Sequence, residues 1–437
     1  MNFYDSERMA DLLATKNFEV TDNIDDADLV ILNTCHIREK AAEKTYSDLG
    51  RIKKLKDKKA AEGKIMLIAV AGCVAQAEGK AILDRAPYVD VVVGPQSYQR
   101  LPDLVNNAEK MLGEKRDRDK VVSLDFSVNE KFDVLPQEFN IEGFSAFLTI
   151  QEGCDKFCTY CVVPYTRGAE YSRSADEIVR EAEKLVSQGI IELNLLGQNV
   201  NAYHGKDLKN GGEVTFADLI RRLAKIDSLE RIRYMTSHPK DMTQDLIAAH
   251  GEIDKLMPML HLPVQSGSDK VLKEMNRHHT AAEYRDVIKR LKEVRPDMAV
   301  SSDFIVGFPG ETEEEFAETL QLIDDIGFSQ CYSFKYSARP GTPSAAREDN
   351  ISEEVMTERL NRMQNTVNKH QLKFNEDSIG KIMPVLLERK GKHEGELVGK
   401  SPYMQSVRVK SPESNFGKIV DVKIMGAFAG GISGEVV

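Results

Sequence analysis

The chain alternates short runs of consecutive apolar residues with longer stretches in which apolar residues recur every three or four positions. In the first hundred residues the runs are DADLVILN, KIMLIAVAG and VDVVVG (89–94), while helical spacing marks YDSERMADLLAT and residues 38–60. Buried strands interleaved with amphipathic helices predict a parallel α/β sheet. Ligands of such sheets gather beyond the carboxyl ends of the strands. Cys35 follows the first run and Cys73 the second, so both are expected to point into one crevice. A doubly wound unit normally opens with a strand. Here a helix comes first, so a further strand, with any ligand at its end, is expected upstream of Met1.

Residues 95–142 read as a helix followed by a polar connection, and then a second alternation begins. Its strand-like runs are FLTI (147–150), IELNLL (191–196), RIRYMTS (231–237), MLHLPV (259–264), AVSSDFIVG (299–307) and QCYSFKYS (330–337), with helical patterns between them. Ser174 with Glu177 and Thr312 with Glu315 have capping-box spacing and predict two helix starts. Six βα units are too few for a closed eightfold barrel. They predict a partial barrel, open on one side to a large substrate. After a long charged helix at about 351–376, residues 377–437 become short β-like runs separated by glycine. They predict a small all-β barrel of five strands.

Composition narrows the class. Apolar residues are 41% and charged residues 30% of the 437, as in ordinary globular proteins of two or three domains. No run approaches 18 consecutive apolar residues, so no membrane helix is expected, and no secretory signal is visible. Six cysteines in so long a chain point to a reduced, cytoplasmic setting and to metal or catalytic use rather than disulfides. The net charge of −11 gives no overall electrostatic footprint for nucleic acid. The basic run RIKKLKDKK (51–59) reads as the solvated face of a helix.

Within this frame EGCDKFCTYC (152–161) stands out, because Cys154, Cys158 and Cys161 fall within eight positions as C-x3-C-x2-C. A structural zinc site usually takes four ligands. Three close thiolates suit an iron–sulfur cluster with one iron left open to a substrate or cofactor. The triplet follows the first strand of the partial barrel, on the face where such barrels carry their chemistry. Taken alone, Cys35 or Cys73 reads as a small buried hydrophobe, and placement at two strand ends favours ligation. Cys331, inside an apolar strand, reads as core.

A C-x3-C-x2-C loop after strand one of a six-unit α/β barrel resembles the radical S-adenosylmethionine (SAM) superfamily. The stretches MNFYDSERM, NTCHIREKAAEKTYSDLGR, CTYCVVPYTRGAEYSR, LLGQNVNAY, TSHP, HLPVQSGSDKVLKEMNR and YSFKYSARPGTP closely resemble the methylthiotransferases, and within them the MiaB type that modifies tRNA. The resemblance spans essentially the whole chain. It implies a multidomain α/β protein with a Rossmann-like amino-terminal methylthiotransferase domain (1–128), a partial (βα)6 radical SAM barrel (140–373) and a TRAM barrel that binds tRNA (376–437). It implies that Cys154, Cys158 and Cys161 hold a [4Fe–4S] cluster whose fourth iron is chelated by SAM. It implies a second [4Fe–4S] cluster on Cys35, Cys73 and a third cysteine expected upstream of Met1. That second cluster would carry the sulfur, which one SAM methylates while another supplies the radical.

Tyr160 resembles the superfamily position that lies against the adenine of SAM. Gln198 and Asn199 end strand two, Gln265, Ser266 and Gly267 end strand four, and the segment from Asp303 to Pro309 ends strand five. Gly307 there lets backbone come close to a ligand, while Asp303 stands where a glycine is common. Arg167, Arg173, Arg233 and His238 are candidates for phosphate or the SAM carboxylate, and equally for surface ion pairs. The implied reaction adds a methylthio group to carbon 2 of isopentenyladenosine beside the anticodon. The implied partners are the tRNA anticodon stem-loop and an electron donor such as flavodoxin or ferredoxin, acting on a cytoplasmic monomer. Competing readings are methylthiolation of threonylcarbamoyl-adenosine in tRNA, methylthiolation of a ribosomal-protein aspartate, and non-catalytic RNA binding.

Overall fold

The computed structural model describes residues 2–34, 41–112, 121–125, 143–209 and 211–437. Cys35 therefore lies outside the described residues. The chain forms two compact units. The first comprises Met1–Asn140 together with two short later pieces, Glu152–Asp155 and Cys161–Tyr171; the second comprises Ile141–Gln151, Lys156–Tyr160 and Ser172–Val437.

In the first unit the elements are α1 (Asn2–Ala14), β1 (Leu29–Thr34), α2 (Ala41–Ala61), β2 (Leu67–Gly72), α3 (Cys73–Glu78), α4 (Ala81–Arg85), β3 (Val91–Val93), α5 (Leu101–Lys110) and β4 (Val122–Ser123). The four strands pair in the order β1-β2-β3-β4, every pair parallel. The apolar runs form strands because both faces are covered. Every residue of β2, from Leu67 to Gly72, is buried, within a core shared by Leu49 and Ile52 of α2 and Leu101 and Leu104 of α5. The lysine-rich run on α2 is less solvated than its composition suggests. Lys56 bonds the Asp90 carboxylate and the Tyr88 carbonyl, and Lys59 Nζ donates to the Ala27 carbonyl at 2.7 Å. A charged head with a long apolar stem can anchor a helix while covering core.

The second unit contains six strands in the expected places: β5 (Ser145–Thr149), β6 (Glu192–Leu196), β7 (Arg231–Tyr234), β8 (Met259–His261), β9 (Ala299–Val306) and β10 (Gln330–Lys335). They form two parallel sheets, β7-β6-β5 and β8-β9-β10, joined by a parallel bridge between Ile232 and Leu256. No pairing between β5 and β10 is present among the described residues, so the barrel is open there. Helices run between the strands: α7 (Ala175–Ser187), α8 (Phe216–Leu223), α9 (Gln244–Glu252), α10 (Asp269–Glu274), α11 (Ala281–Val294) and α12 (Glu313–Ile326). A further short helix, α6 (Val163–Arg167), belongs to the first unit and packs on α3 there.

Thr312 and Glu315 form the reciprocal capping box that the spacing predicts. Ser174 supplies only the hydroxyl half, accepting from the Glu177 N–H at 3.2 Å. A second full box, at Thr280 and Glu283, was equally legible and not singled out. β10 departs from expectation. Its burial alternates: Tyr332 and Phe334 are exposed, while Cys331, on the opposite face beside Ser302, is intermediate in exposure. One face of this edge strand is left uncovered by the opening of the barrel. Burial of its thiol still pushes Cys331 well above the ordinary range.

The long helix α13 (Glu353–Glu376) packs along β10 and reaches the closing β-barrel of the chain. That barrel comprises β11 (Ile382–Lys390), β12 (Glu396–Lys400), β13 (Ser406–Lys410), β14 (Ile419–Phe428) and β15 (Gly431–Val436). It closes in the order β11-β12-β13-β15-β14, five strands as the sequence predicts. Alternating inward residues such as Val385, Leu387, Val407, Val409, Val422 and Ile424 fill it.

Candidate functional site

Residues of interest stand at the carboxyl ends of strands in both units. In the first unit Cys73 opens α3 directly after β2 and is buried. The turn is sharp because Gly72 takes φ +91°, where an added Cβ would strike the Thr34 backbone. Asp5, Tyr98, Glu152 and Arg167 are buried in the same unit. Arg167 Nη2 bonds Asp5 Oδ2 at 2.7 Å and its Nη1 lies 3.6 Å from Glu152 Oε1. Its charge also acts on Cys73 and Tyr98. Burial, reinforced by Asp5, pushes the Tyr98 hydroxyl well up. This arginine is thus a buried structural cation and is committed to carboxylates of its own chain, not to phosphate.

Cys154 and Cys161 also fall in the first unit. The Cys154 N–H bonds the Gly168 carbonyl at 3.3 Å, and the Val163 N–H points at Cys161 Sγ from 3.5 Å. Gly153, with φ +75°, turns the chain into Cys154; a Cβ there would sit 2.7 Å from Gly168 O and closer still to the Ala169 carbonyl oxygen.

In the second unit the segment Lys156–Tyr160 is held by partners the sequence reading did not single out. Asn276 Nδ2 donates to the carbonyls of Lys156 (3.2 Å) and Phe157 (3.0 Å). The Thr159 N–H bonds Met275 O at 3.1 Å and Thr159 Oγ1 donates to Glu274 O at 2.9 Å. Lys156 pairs with Asp241 at 2.7 Å. Cys158 is buried, and Arg277 Nη1 approaches its sulfur at 3.5 Å while the other terminal nitrogen bonds the Pro263 carbonyl. One signal was available: Asn276 has φ +58° just past α10, the left-handed conformation asparagine tolerates.

Tyr160 packs beside Val271, Met275 and Phe308, with Ile305 and Tyr336. The Gln151 amide oxygen accepts from the N–H groups of Gln198 (2.8 Å) and Asn199 (3.2 Å), fixing the loop after β6. Asn199 Nδ2 bonds Asp241 at 2.8 Å, and its buried Oδ1 has no hydrogen-bond partner among the described residues. Gln265 has φ +78° and exchanges backbone bonds with Asp303 and Ile305. The Ser266 hydroxyl is wholly buried against Thr319 at 3.2 Å, so it anchors its loop to α12. Gly307 has φ +72°, its N–H bonds Glu311 Oε2 at 2.7 Å, and the place of its missing Cβ is filled by Met356, with Sδ 2.7 Å away. The freedom of this glycine is spent on packing, not on open approach to a ligand. Burial pushes Glu311 up to about 7 despite the Gly307 N–H and Arg359.

The other candidate cations are also engaged. Arg173 bonds Glu181 and the Thr149 carbonyl. Arg233 bonds Glu192 at 3.0 Å and the carbonyls of Ser401 (3.0 Å) and Pro402 (2.7 Å) in the closing barrel. Burial, together with the nearby Arg277, holds His238 far below the ordinary imidazole range, so it is neutral. None of the three stands as an exposed cation for phosphate, because each was drawn into the fold by burial.

Among the described residues no three His, Cys, Asp or Glu side chains already stand grouped around one point as metal ligands. The donor set nevertheless suits an iron–sulfur cluster: three thiols within eight positions, two with N–H groups aimed at sulfur, as cluster sulfurs require.

The chain matches the radical SAM superfamily over residues 148–323, an uncharacterized protein family designated UPF0004 over 1–94, and the TRAM domain over 377–429. It is 56% identical over 439 residues to the tRNA-2-methylthio-N(6)-dimethylallyladenosine synthase of Rickettsia felis, covering 100% of this chain and 97% of that one. The protein of the same name from Rickettsia rickettsii (strain Sheila Smith) is 55% identical over 438 residues, with the same coverage. Among solved structures, the radical SAM methyltransferase TsrM from Kitasatospora setae, with cobalamin and a [4Fe-4S] cluster bound, superposes with a TM-score of 0.56 at 13% identity over 78% of this chain and 71% of that one. At that identity the likeness is one of fold.

Proposed function

Since this chain belongs to the MiaB-type radical SAM methylthiotransferases, we propose that it adds a methylthio group to carbon 2 of N6-isopentenyladenosine next to the anticodon of tRNA. The observation that carries this reading is the end-to-end identity of 56% with a synthase of that product, with C-x3-C-x2-C after the first strand of an open six-strand barrel. Cys154, Cys158 and Cys161 would hold one [4Fe–4S] cluster, and Cys73 with Cys35 would contribute to a second. Such clusters with SAM supply one-electron chemistry able to remove hydrogen from an unactivated carbon, which side-chain acids and bases do not do at neutral pH.

The protein's own part is positioning. Asn276 and Met275 fix the Lys156–Tyr160 segment, and Arg277 and the Val163 N–H donate toward the Cys158 and Cys161 sulfurs that would ligate the cluster. Tyr160, on its apolar bed of Met275 and Phe308, offers a ring to the adenine of SAM. The polar ends of β6 and β8, at Gln198, Asn199 and Gln265, offer hydrogen bonds to SAM. Ser266 and Gly307 shape those loops from behind. The domain limits 1–128, 140–373 and 376–437 divide the labour among auxiliary cluster, radical chemistry and RNA grip. The enzyme so read works on tRNA in the cytoplasm and takes electrons from a small carrier such as flavodoxin or ferredoxin. A base in the anticodon loop is already largely unpaired, so presenting it to an open barrel costs little.

The test is mass spectrometry of tRNA nucleosides from cells lacking the gene. Loss of the 2-methylthio derivative with accumulation of isopentenyladenosine, reversed by the gene, is expected. Unchanged nucleosides overturn the reading.

A further inference from the structure

The inner face of the partial barrel carries side chains that no role above uses. Register places His261 beside Ser301, Asp303 beside Tyr332, and Ile305 beside Phe334. Strand alternation puts these six on one face of β8-β9-β10. The opposite face carries Phe304, whose ring meets Phe328 at 5.5 Å beneath the helices. The first face is therefore the inner one. On it Tyr332 and Phe334 are 44% and 49% exposed, large rings on the edge strand beside the barrel's opening. Beside them a polar pair spans β8 and β9: His261 Nε2 is 3.4 Å from Asp303 Oδ1, and its Nδ1 is 2.8 Å from Ser301 Oγ. The His261 ring stands edge-on to Tyr332 at 6.0 Å. Ile305, in the Phe334 layer, packs on the same Val271, Met275 and Phe308 cluster as Tyr160. The Asp303–Tyr332 layer lies one strand step away, roughly 7 Å.

An N6-isopentenyl adenine presents a branched five-carbon chain next to one N–H donor. Its recognition needs an apolar surface beside a hydrogen-bond acceptor that is partly shielded from water. Resting on the function proposed above, we propose that Tyr332 and Phe334 form the wall for the N6 substituent of the target adenine, and that Asp303, oriented by His261, accepts the N6–H. The rings offer a face to base or alkenyl chain. The carboxylate is an inner-face acceptor one layer from Ile305, which shares the apolar bed of Tyr160. It also accounts for an aspartate at a position where glycine is common.

The two halves of the proposal separate in one experiment. Plain adenosine has an N6–H but no alkenyl chain. The reconstituted holoenzyme with SAM is titrated with anticodon stem-loops that carry or lack the isopentenyl group. The wild type is expected to prefer the isopentenylated RNA by on the order of 100-fold, since a fitted apolar pocket gains roughly tenfold or more per methylene. Tyr332→Ala and Phe334→Ala should cut that preference at least tenfold while affinity for the plain stem-loop stays within a factor of about two. Asp303→Ala should weaken both stem-loops alike. Both rings are half-exposed, so their loss spares the core. Melting temperature and SAM binding check this, and Phe334→Leu replaces the alanine variant should that one unfold. Ring variants that keep the full preference, or that weaken both RNAs equally, overturn the inference. A wild-type holoenzyme that leaves the isopentenylated stem-loop unmodified overturns the proposed function itself.

Discussion

Asp5 and Arg167, separated by 162 positions, form a 2.7 Å ion pair in which both side chains are almost wholly buried. The pair ties the first helix to a segment beyond the cysteine triplet, inside one compact unit. Glu152 adds a second carboxylate to the same guanidinium. Arg167→Met would leave two buried carboxylates without their cation. Loss of one partner of a buried pair costs about 3–5 kcal/mol. A drop of that size in urea unfolding is expected, and an Asp5→Leu/Arg167→Met double variant should lose clearly less than the sum of the two single changes. Additive losses would show that the two residues are not coupled.

Replacing Cys154, Cys158 and Cys161 together by alanine should remove about four irons per chain after anaerobic reconstitution. It should also abolish reductive SAM cleavage. Gly153→Ala, which forces a Cβ into the Gly168–Ala169 backbone at φ +75°, should lower iron content without touching a thiol. Full iron and full SAM cleavage in the triple variant would refute the assignment.

Arg231 and Arg233 hold the closing barrel by its backbone. Arg231 bonds Pro384 O (2.6 Å) and Lys400 O (3.1 Å), and Arg233 bonds Ser401 and Pro402. Burial, with Arg233 pushing the same way, brings Arg231 down to about 10. Changing both to methionine should leave the five-stranded barrel folded but loosely attached, because its own core is built from residues of its own strands, such as Val385, Val407 and Ile424. Limited proteolysis should then cut between the barrel and the rest of the second unit. A cleavage pattern identical to wild type would count against this anchoring role.

His250 is fully buried on α9, its Nε2 2.7 Å from the Tyr234 hydroxyl. Burial brings it down to about 3 from an ordinary 6.5. The folded state then binds fewer protons than the unfolded state between those values. The stabilising contribution is complete above pH about 6.5 and is lost as pH falls toward 3, by up to about 1.4 kcal/mol per pH unit. His279, held down to about 4 mainly by burial, acts in the same direction. His250→Gln keeps an acceptor for Tyr234 without a titrating ring. Its unfolding free energy should fall less steeply than wild type between pH 6 and 4, and equal slopes would contradict the prediction.

The sequence by itself determined the order of the elements. Apolar runs of strand length, amphipathic spacing and cap residues such as Thr312 act locally, so the six strands, the parallel amino-terminal sheet and the five-stranded barrel were legible from nearest neighbours. The cysteine spacing likewise needed only the chain. What the tertiary structure decided was the fate of side chains that reach across it. Arg167, Arg173, Arg233 and His238 looked available for a ligand, yet burial beside carboxylates, carbonyls or other cations engaged each of them. Arg277 and Asn276 turned out to hold the cysteine segment from more than a hundred positions away. β10 read simply as an apolar strand, yet at the edge of its sheet it leaves Tyr332 and Phe334 half-exposed. Local propensity sets elements through backbone and adjacent residues. Desolvation and ion pairing depend on what packs from elsewhere, and that information exists only once the chain has closed on itself.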